Sequence, residues 1–123
     1  MNNIYVDNKS NKPIYQQLFD QISSQILLKE MQADTQLPSI RTTAKELRVS
    51  VITIKKTWEM LEKNNYIYTI AGKGSYVSKT TNSELSKKKT LMVMDSLQEV
   101  ISLSKSLELE KSDLIELINR MYK

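Results

Sequence analysis

The sequence predicts an α+β fold, mainly α, on three observations. Apolar residues recur at helical spacing through most of the chain, and two short helical stretches lie close together with a capping Ser before each. β-prone residues also flank the chain's 2 glycines in "YIYTIAGKGSYV", residues 66–77. Two short helices joined by a tight turn and followed at once by a hairpin describe a winged helix-turn-helix. Residues 1–79 are expected to form that domain, and residues 80–123 a two-helix C-terminal dimerisation segment.

Residues 1–12 are polar apart from Ile4, Tyr5 and Val6, which add a short strand or lie across the surface. From Pro13, whose fixed dihedral suits a first helical turn, Ile14, Leu18, Ile22 and Ile26 recur at every fourth position, with Tyr15, Phe19 and Leu27 widening the stripe. This predicts a helix to about Met31. The run "QADTQLPS" breaks it, and Ser39 caps a short helix over about 40–48, in which Ala44 and Leu47 share a face. Ser50 caps a further helix from Val51 to about Asn64, with Ile54, Trp58 and Leu61 spaced for burial. In the hairpin, Gly72 and Gly74 supply turn conformations that other residues resist.

After Val77 the texture changes. "SKTTNSELSKKK" is polar, a linker or the solvated start of a helix. Beyond it Val93, Leu97, Val100 and Leu107, with Met94 and Ile101 alongside, mark one long amphipathic helix. Ser112 is the expected cap of a final helix carrying Leu114, Ile115, Leu117, Ile118 and Met121. Two helices apolar on more than one face require a neighbour, most economically the same helices of a second subunit. The interface residues expected on this basis are Val93, Leu97, Val100, Ile101, Leu107, Leu114 and Ile118, the alternative being that the tail folds back on its own winged helix.

Composition narrows the chemistry. With Cys 0 and His 0, the chain has neither a disulfide framework nor the usual zinc ligands and general bases, so no metal, no cofactor and no enzyme is expected. No cationic N-terminal segment precedes an apolar run and no stretch reaches about 18 consecutive apolar residues, which predicts a cytoplasmic protein with no membrane partner.

The charge is unevenly placed. Residues 37–80 hold eight basic side chains against three acidic ones, a net of +5, whereas residues 81–123 hold seven of each. The excess therefore lies on the winged-helix unit, as expected of a surface that meets the phosphates of a double helix. In "RVSVITIKKTW", residues 48–58, Ile54 and Trp58 point inward, which leaves Ser50, Val51, Ile52, Thr53, Lys55 and Lys56 for another surface. A second helix of this kind enters the major groove N-terminus first. Ser50 and Thr53 then bond phosphates or base edges, Lys55 and Lys56 neutralise phosphates or reach guanine, and Ile52 meets a thymine methyl or packs within the domain. Lys73, between the wing glycines, reaches the backbone or the minor groove. Arg41 adds its charge to the amides of a helix start. Taken singly, Lys55 and Lys56 read as solvated lysines and Arg41 as the partner of an acidic neighbour; their shared placement carries the functional reading.

The run from Leu37 to Val77 resembles the GntR family of bacterial transcription regulators, in which Leu-Pro-Ser-x-Arg precedes the helix-turn-helix and Gly-x-Gly-x-Phe/Tyr-Val ends the wing. With the first helix, the resemblance covers residues 13–78. It implies DNA contacts by Arg41, Ser50, Thr53, Lys55 and Lys73. Three departures stand out: Val51 where the family often has Arg, no glycine in "MQADTQ", and Asn65 in place of the glycine before the wing. Asn tolerates a left-handed backbone. The 44 residues from 80 onward cannot enclose a sizeable ligand pocket alone, and in this the chain is similar to the short YtrA-like branch, which dimerises through two helices. The expected function is a homodimeric repressor on a pseudo-palindromic double-stranded operator, relieved by a small-molecule effector of unknown identity. The alternative is a winged-helix interaction module docking an acidic protein.

Overall fold

A computed structural model of the chain describes residues 1, 3–80 and 82–123, with Asn82 and Ser83 as backbone only. Its elements are α1 (Ile14–Leu27), α2 (Ile40–Leu47), α3 (Val51–Lys63), β1 (Ile67–Ile70), β2 (Gly74–Val77), α4 (Asn82–Ser106) and α5 (Lys111–Met121), mainly helix with one two-stranded sheet. They divide into two units, Met1–Thr81 and Asn82–Lys123. None of the described helices is long and apolar enough to cross a membrane.

In the first unit α1 and α2 both pack on α3, and the spacing of apolar residues explains how. Leu18 and Ile22, one turn apart on α1, are fully buried, as are Ile54 and Leu61 on α3, with Trp58 between them also buried. Each such side chain contributes about 1.5–3 kcal/mol by leaving water. Three hydroxyls lie inside this core, and each is satisfied by the carbonyl one turn back: Ser23 by Phe19, Thr43 by Ser39 and Thr57 by Thr53. An edge-to-face contact between Phe19 and Tyr66, centroids 5.7 Å apart, ties α1 to the entry of β1.

α1 stops at Leu27, about a turn before the expected Met31. Lys29 turns left-handed (φ 58°), and the amides of Lys29 and Glu30 return to the carbonyls of Ile26 and Gln25, closing the helix in a Schellman motif. Met31 is buried nevertheless, from the loop rather than from the helix, which is why it extends the apolar periodicity. The same closure ends α2 at Arg48, α3 at Asn65 and α4 at Glu108, all with φ between 57° and 62°. Glycine ordinarily serves this position, because a left-handed L-residue costs roughly 1–2 kcal/mol. Arg48→Gly, whose side chain makes no bond within the described residues, is therefore expected to raise stability by about 0.5–1 kcal/mol, read as a higher urea midpoint at unchanged slope.

Ile4, Tyr5 and Val6 form no strand. Two glutamines of α1 clasp this extended segment instead: Gln21 accepts from the Tyr5 amide and donates to its carbonyl (3.1 and 2.7 Å), and Gln17 does the same for Asp7 (2.9 and 3.0 Å). The hairpin is as expected, antiparallel, with Ile67 opposite Val77 on the buried face and Tyr68 opposite Tyr76 on the outer one, their rings stacked at 5.5 Å.

In the second unit the chain reverses at Glu108 and α5 begins at Lys111, so its cap is Glu110 rather than the expected Ser112. The Glu110 amide donates to Asp113 Oδ2 at 2.8 Å, a capping-box bond. Glu110 takes this place because the left-handed Glu108 leaves the backbone extended at residue 110 (ψ 165°), one residue before the helical turn on which Ser112 lies. Of the described side chains here only Leu85 and Ser104 are buried, while Leu91, Val93, Leu97, Val100, Leu107 and Ile118, among others, are exposed. A cavity of about 580 Å³ opens between the C-terminal half of α4 and α5, lined chiefly by apolar side chains.

Candidate nucleic-acid interface

The position of α3 follows from its start. Ser50 is extended (ψ 151°) and its Oγ accepts from the Thr53 amide at 3.0 Å, which fixes the first turn. The hydroxyls of Ser50 and Thr53 lie 2.7 Å apart and share one hydrogen, so one O–H of the pair remains available to donate outward. With Ile54, Trp58 and Leu61 inward, the 100° step per residue turns Val51, Ile52 and Lys55 outward. Ile52 is 78% exposed and Ile54 is 0%, which removes the reading of Ile52 as a packing residue of this unit. Lys55 is exposed and bonded to nothing among the described residues.

Lys56 is exposed too, but its ammonium sits 3.8 Å from the centre of the Tyr15 ring. This cation–π contact draws it toward the N-terminal end of α1 while leaving its charge at the surface. Sequence reasoning placed Tyr15 in the buried stripe of α1; the structure leaves it half-buried beneath Lys56.

Arg41 is the second residue of α2, behind Ser39, whose Oγ accepts from Thr42 N at 3.1 Å. Its guanidinium is exposed and pairs with no carboxylate among the described residues. Arg41 therefore stands beside the unsatisfied amides of a helix start, an anion-attracting combination. Lys73 lies at the tip of the wing, its amide donating to Ile70 O at 3.0 Å and Gly72 beside it at φ +77°.

The wing is held by residues that sequence reasoning did not single out. The stretch 34–37 runs along β2, with amides of Asp34 and Leu37 donating to Val77 and Ser75 and the Val77 amide donating to Thr35, all within 2.8–2.9 Å. Asp34 is left-handed (φ 64°), a backbone that Asp tolerates. Its carboxylate accepts from the Tyr68 hydroxyl at 2.7 Å and holds that phenol above its ordinary pKa. Gln36 donates from Nε2 to the Lys73 carbonyl at 2.8 Å. No local pattern announces these bonds, because the partners lie 34 and 37 residues apart.

Comparison with known proteins agrees with this architecture. The family model described as bacterial regulatory proteins, gntR family, matches residues 14–77. The transcriptional repressor YtrA of Bacillus subtilis is 31% identical over 98 residues, 80% of this chain and 75% of that one. A GntR family transcriptional regulator from Listeria monocytogenes superposes with a TM-score of 0.75 at 26% identity, covering 92% of this chain and 98% of that one. The DNA-binding domain of AraR in complex with operator ORE1 superposes at a TM-score of 0.53 and 25% identity, over 62% of this chain and 93% of that one. With a winged helix-turn-helix on residues 14–77 and relatives that share most of its length, the chain belongs to the GntR family of bacterial transcription regulators.

Proposed function

We propose that the chain is a cytoplasmic homodimeric repressor that places two recognition helices in successive major grooves of a pseudo-palindromic operator. The observation that carries this reading is the outward face of α3, where Val51, Ile52 and Lys55 are turned to solvent by a helix anchored through Ile54, Trp58 and Leu61. Residues 1–79 form the DNA-binding part. Ser50, Thr53, Lys55 and Lys56 contact phosphates or base edges, and Val51 and Ile52 offer apolar contact to thymine methyls. Arg41 binds a phosphate at the start of α2, and Lys73 carries the wing to the flanking backbone. Support comes from AraR, whose DNA-binding domain binds an operator with a similar fold.

Residues 80–123 dimerise. The support is the exposure of Val93, Leu97, Val100, Leu107 and Ile118, with Ile101 and Leu114 half-exposed, on a unit that buries almost nothing of its own. Isolated helices gain little stability from propensity alone, so such a face requires a partner. A small-molecule effector relieves repression by rotating one winged helix relative to the other, which misplaces one of two coupled half-site contacts.

Selection of bound sites from random duplexes at fixed salt tests the reading. Enriched sequences are expected to carry inverted half-sites with centres about 10–10.5 base pairs apart, or a multiple of that. Recovery of unenriched sequence would replace this function with docking of an acidic protein on the same basic face.

A further inference from the structure

We infer that Gln36 is a positioning residue that presets the wing tip for DNA, an assignment that rests on the DNA-binding reading of Lys73. The Gln36 carboxamide crosses from the connection before α2 to the tip of the hairpin, where Nε2 donates to the Lys73 carbonyl at 2.8 Å. The backbone of Gln36 pairs with Tyr76 in an antiparallel bridge, and the Leu37 amide bonds Ser75, so the base of this side chain is itself fixed to β2. Gly74 makes the crossing possible. A Cβ built at Gly74 would lie 2.8 Å from Gln36 Nε2, closer than real Cβ atoms approach, and its φ of +125° is one that L-residues rarely adopt. The glycine therefore has two functions at one position, turning the chain and leaving a slot for the carboxamide.

The consequence is mechanical. A two-stranded hairpin is marginal by itself, and its tip is the part least restrained. Three residues beyond Gln36 stands Ser39, the cap of α2, with Arg41 in the following turn. Gln36 thus joins the loop carrying Lys73 to the segment that launches Arg41, and two cations on different elements are held by one strap. A wing ordered before DNA arrives avoids the ordering cost of binding, which is the general advantage of preorganisation.

The test is a double-mutant cycle on the full-length chain with a duplex from the selection above, together with backbone 15N relaxation of the DNA-free protein. Gln36→Ala, and the near-isosteric Gln36→Glu that lacks the donor, are expected to weaken binding roughly three- to tenfold. In the Lys73→Ala background Gln36→Ala is expected to have no further effect. In the free protein, order parameters at Gly72, Lys73 and Gly74 are expected to fall from about 0.85 toward 0.6 in Gln36→Ala, with the urea midpoint unchanged. Equal losses from Gln36→Ala in both backgrounds, or unaltered order at the tip, would overturn the inference. Wild-type binding by Lys73→Ala, with a tip that loosens without Gln36, would instead remove the DNA role of the wing and with it the purpose assigned to the latch.

Discussion

Leu97→Glu combined with Ile118→Glu is expected to yield a monomer whose operator affinity is lower by about 10²- to 10⁴-fold, the factor by which two coupled sites exceed one. Both positions lie on helices and are 41% and 49% exposed in the single chain, so Glu is compatible with the fold of each helix. In a dimer they are covered, and an unpaired carboxylate buried there costs far more than the apolar packing it replaces. Sedimentation equilibrium reads the change of state, and far-ultraviolet circular dichroism should show helix content retained. The winged helix keeps its own half-site contacts, so weak, salt-sensitive binding persists. A variant that stays dimeric, or a monomer that binds as tightly as the wild type, contradicts the assignment of residues 80–123.

The second large effect separates two isoleucines two residues apart on α3. Ile54→Ala is expected to destabilise the first unit by about 2–5 kcal/mol, because Ile54 is 0% exposed and its removal leaves a cavity in the core. Against a typical total of about 5–15 kcal/mol, that is a large fraction of what holds such a domain together. Ile52→Ala, at 78% exposure, should stay within about 0.5 kcal/mol of the wild type. The order reverses for DNA, where Ile52→Ala is expected to weaken operator binding without altering the urea midpoint. Trp58, the only Trp of the chain, is buried beside Ile54 on α3 and reports unfolding of this unit by fluorescence. Comparable stability losses from both substitutions would contradict the orientation of the helix.

The features legible in the sequence are those with short-range causes. Ser39 and Ser50 act as caps within three residues, and the spacing of Ile54, Trp58 and Leu61 sets the buried face of α3. The two glycines mark the hairpin turn. The ends of α2 and α3 fall within a residue of the expected positions, whereas α1 closes early on left-handed Lys29, where a glycine would have announced the stop. Met31 continues an apolar rhythm from a loop, and Ser112 looks like a cap although Glu110 has the geometry. At the candidate interface, charge and placement in the sequence single out Arg41, Lys55 and Lys73 as expected contacts. The sequence was silent on the bonds that position them, since the link from Gln36 to Lys73 and the seat of Lys56 on Tyr15 join residues distant along the chain.

The central claim is that α3 is held by its apolar side so that its cationic side meets a groove, and titration of a selected duplex across a salt series measures this most directly. Arg41→Ala and Lys55→Ala are each expected to weaken binding and, for every phosphate no longer neutralised, to reduce the slope of log affinity against log salt by about 0.9. Binding by both variants with the affinity and the salt slope of the wild type would contradict it.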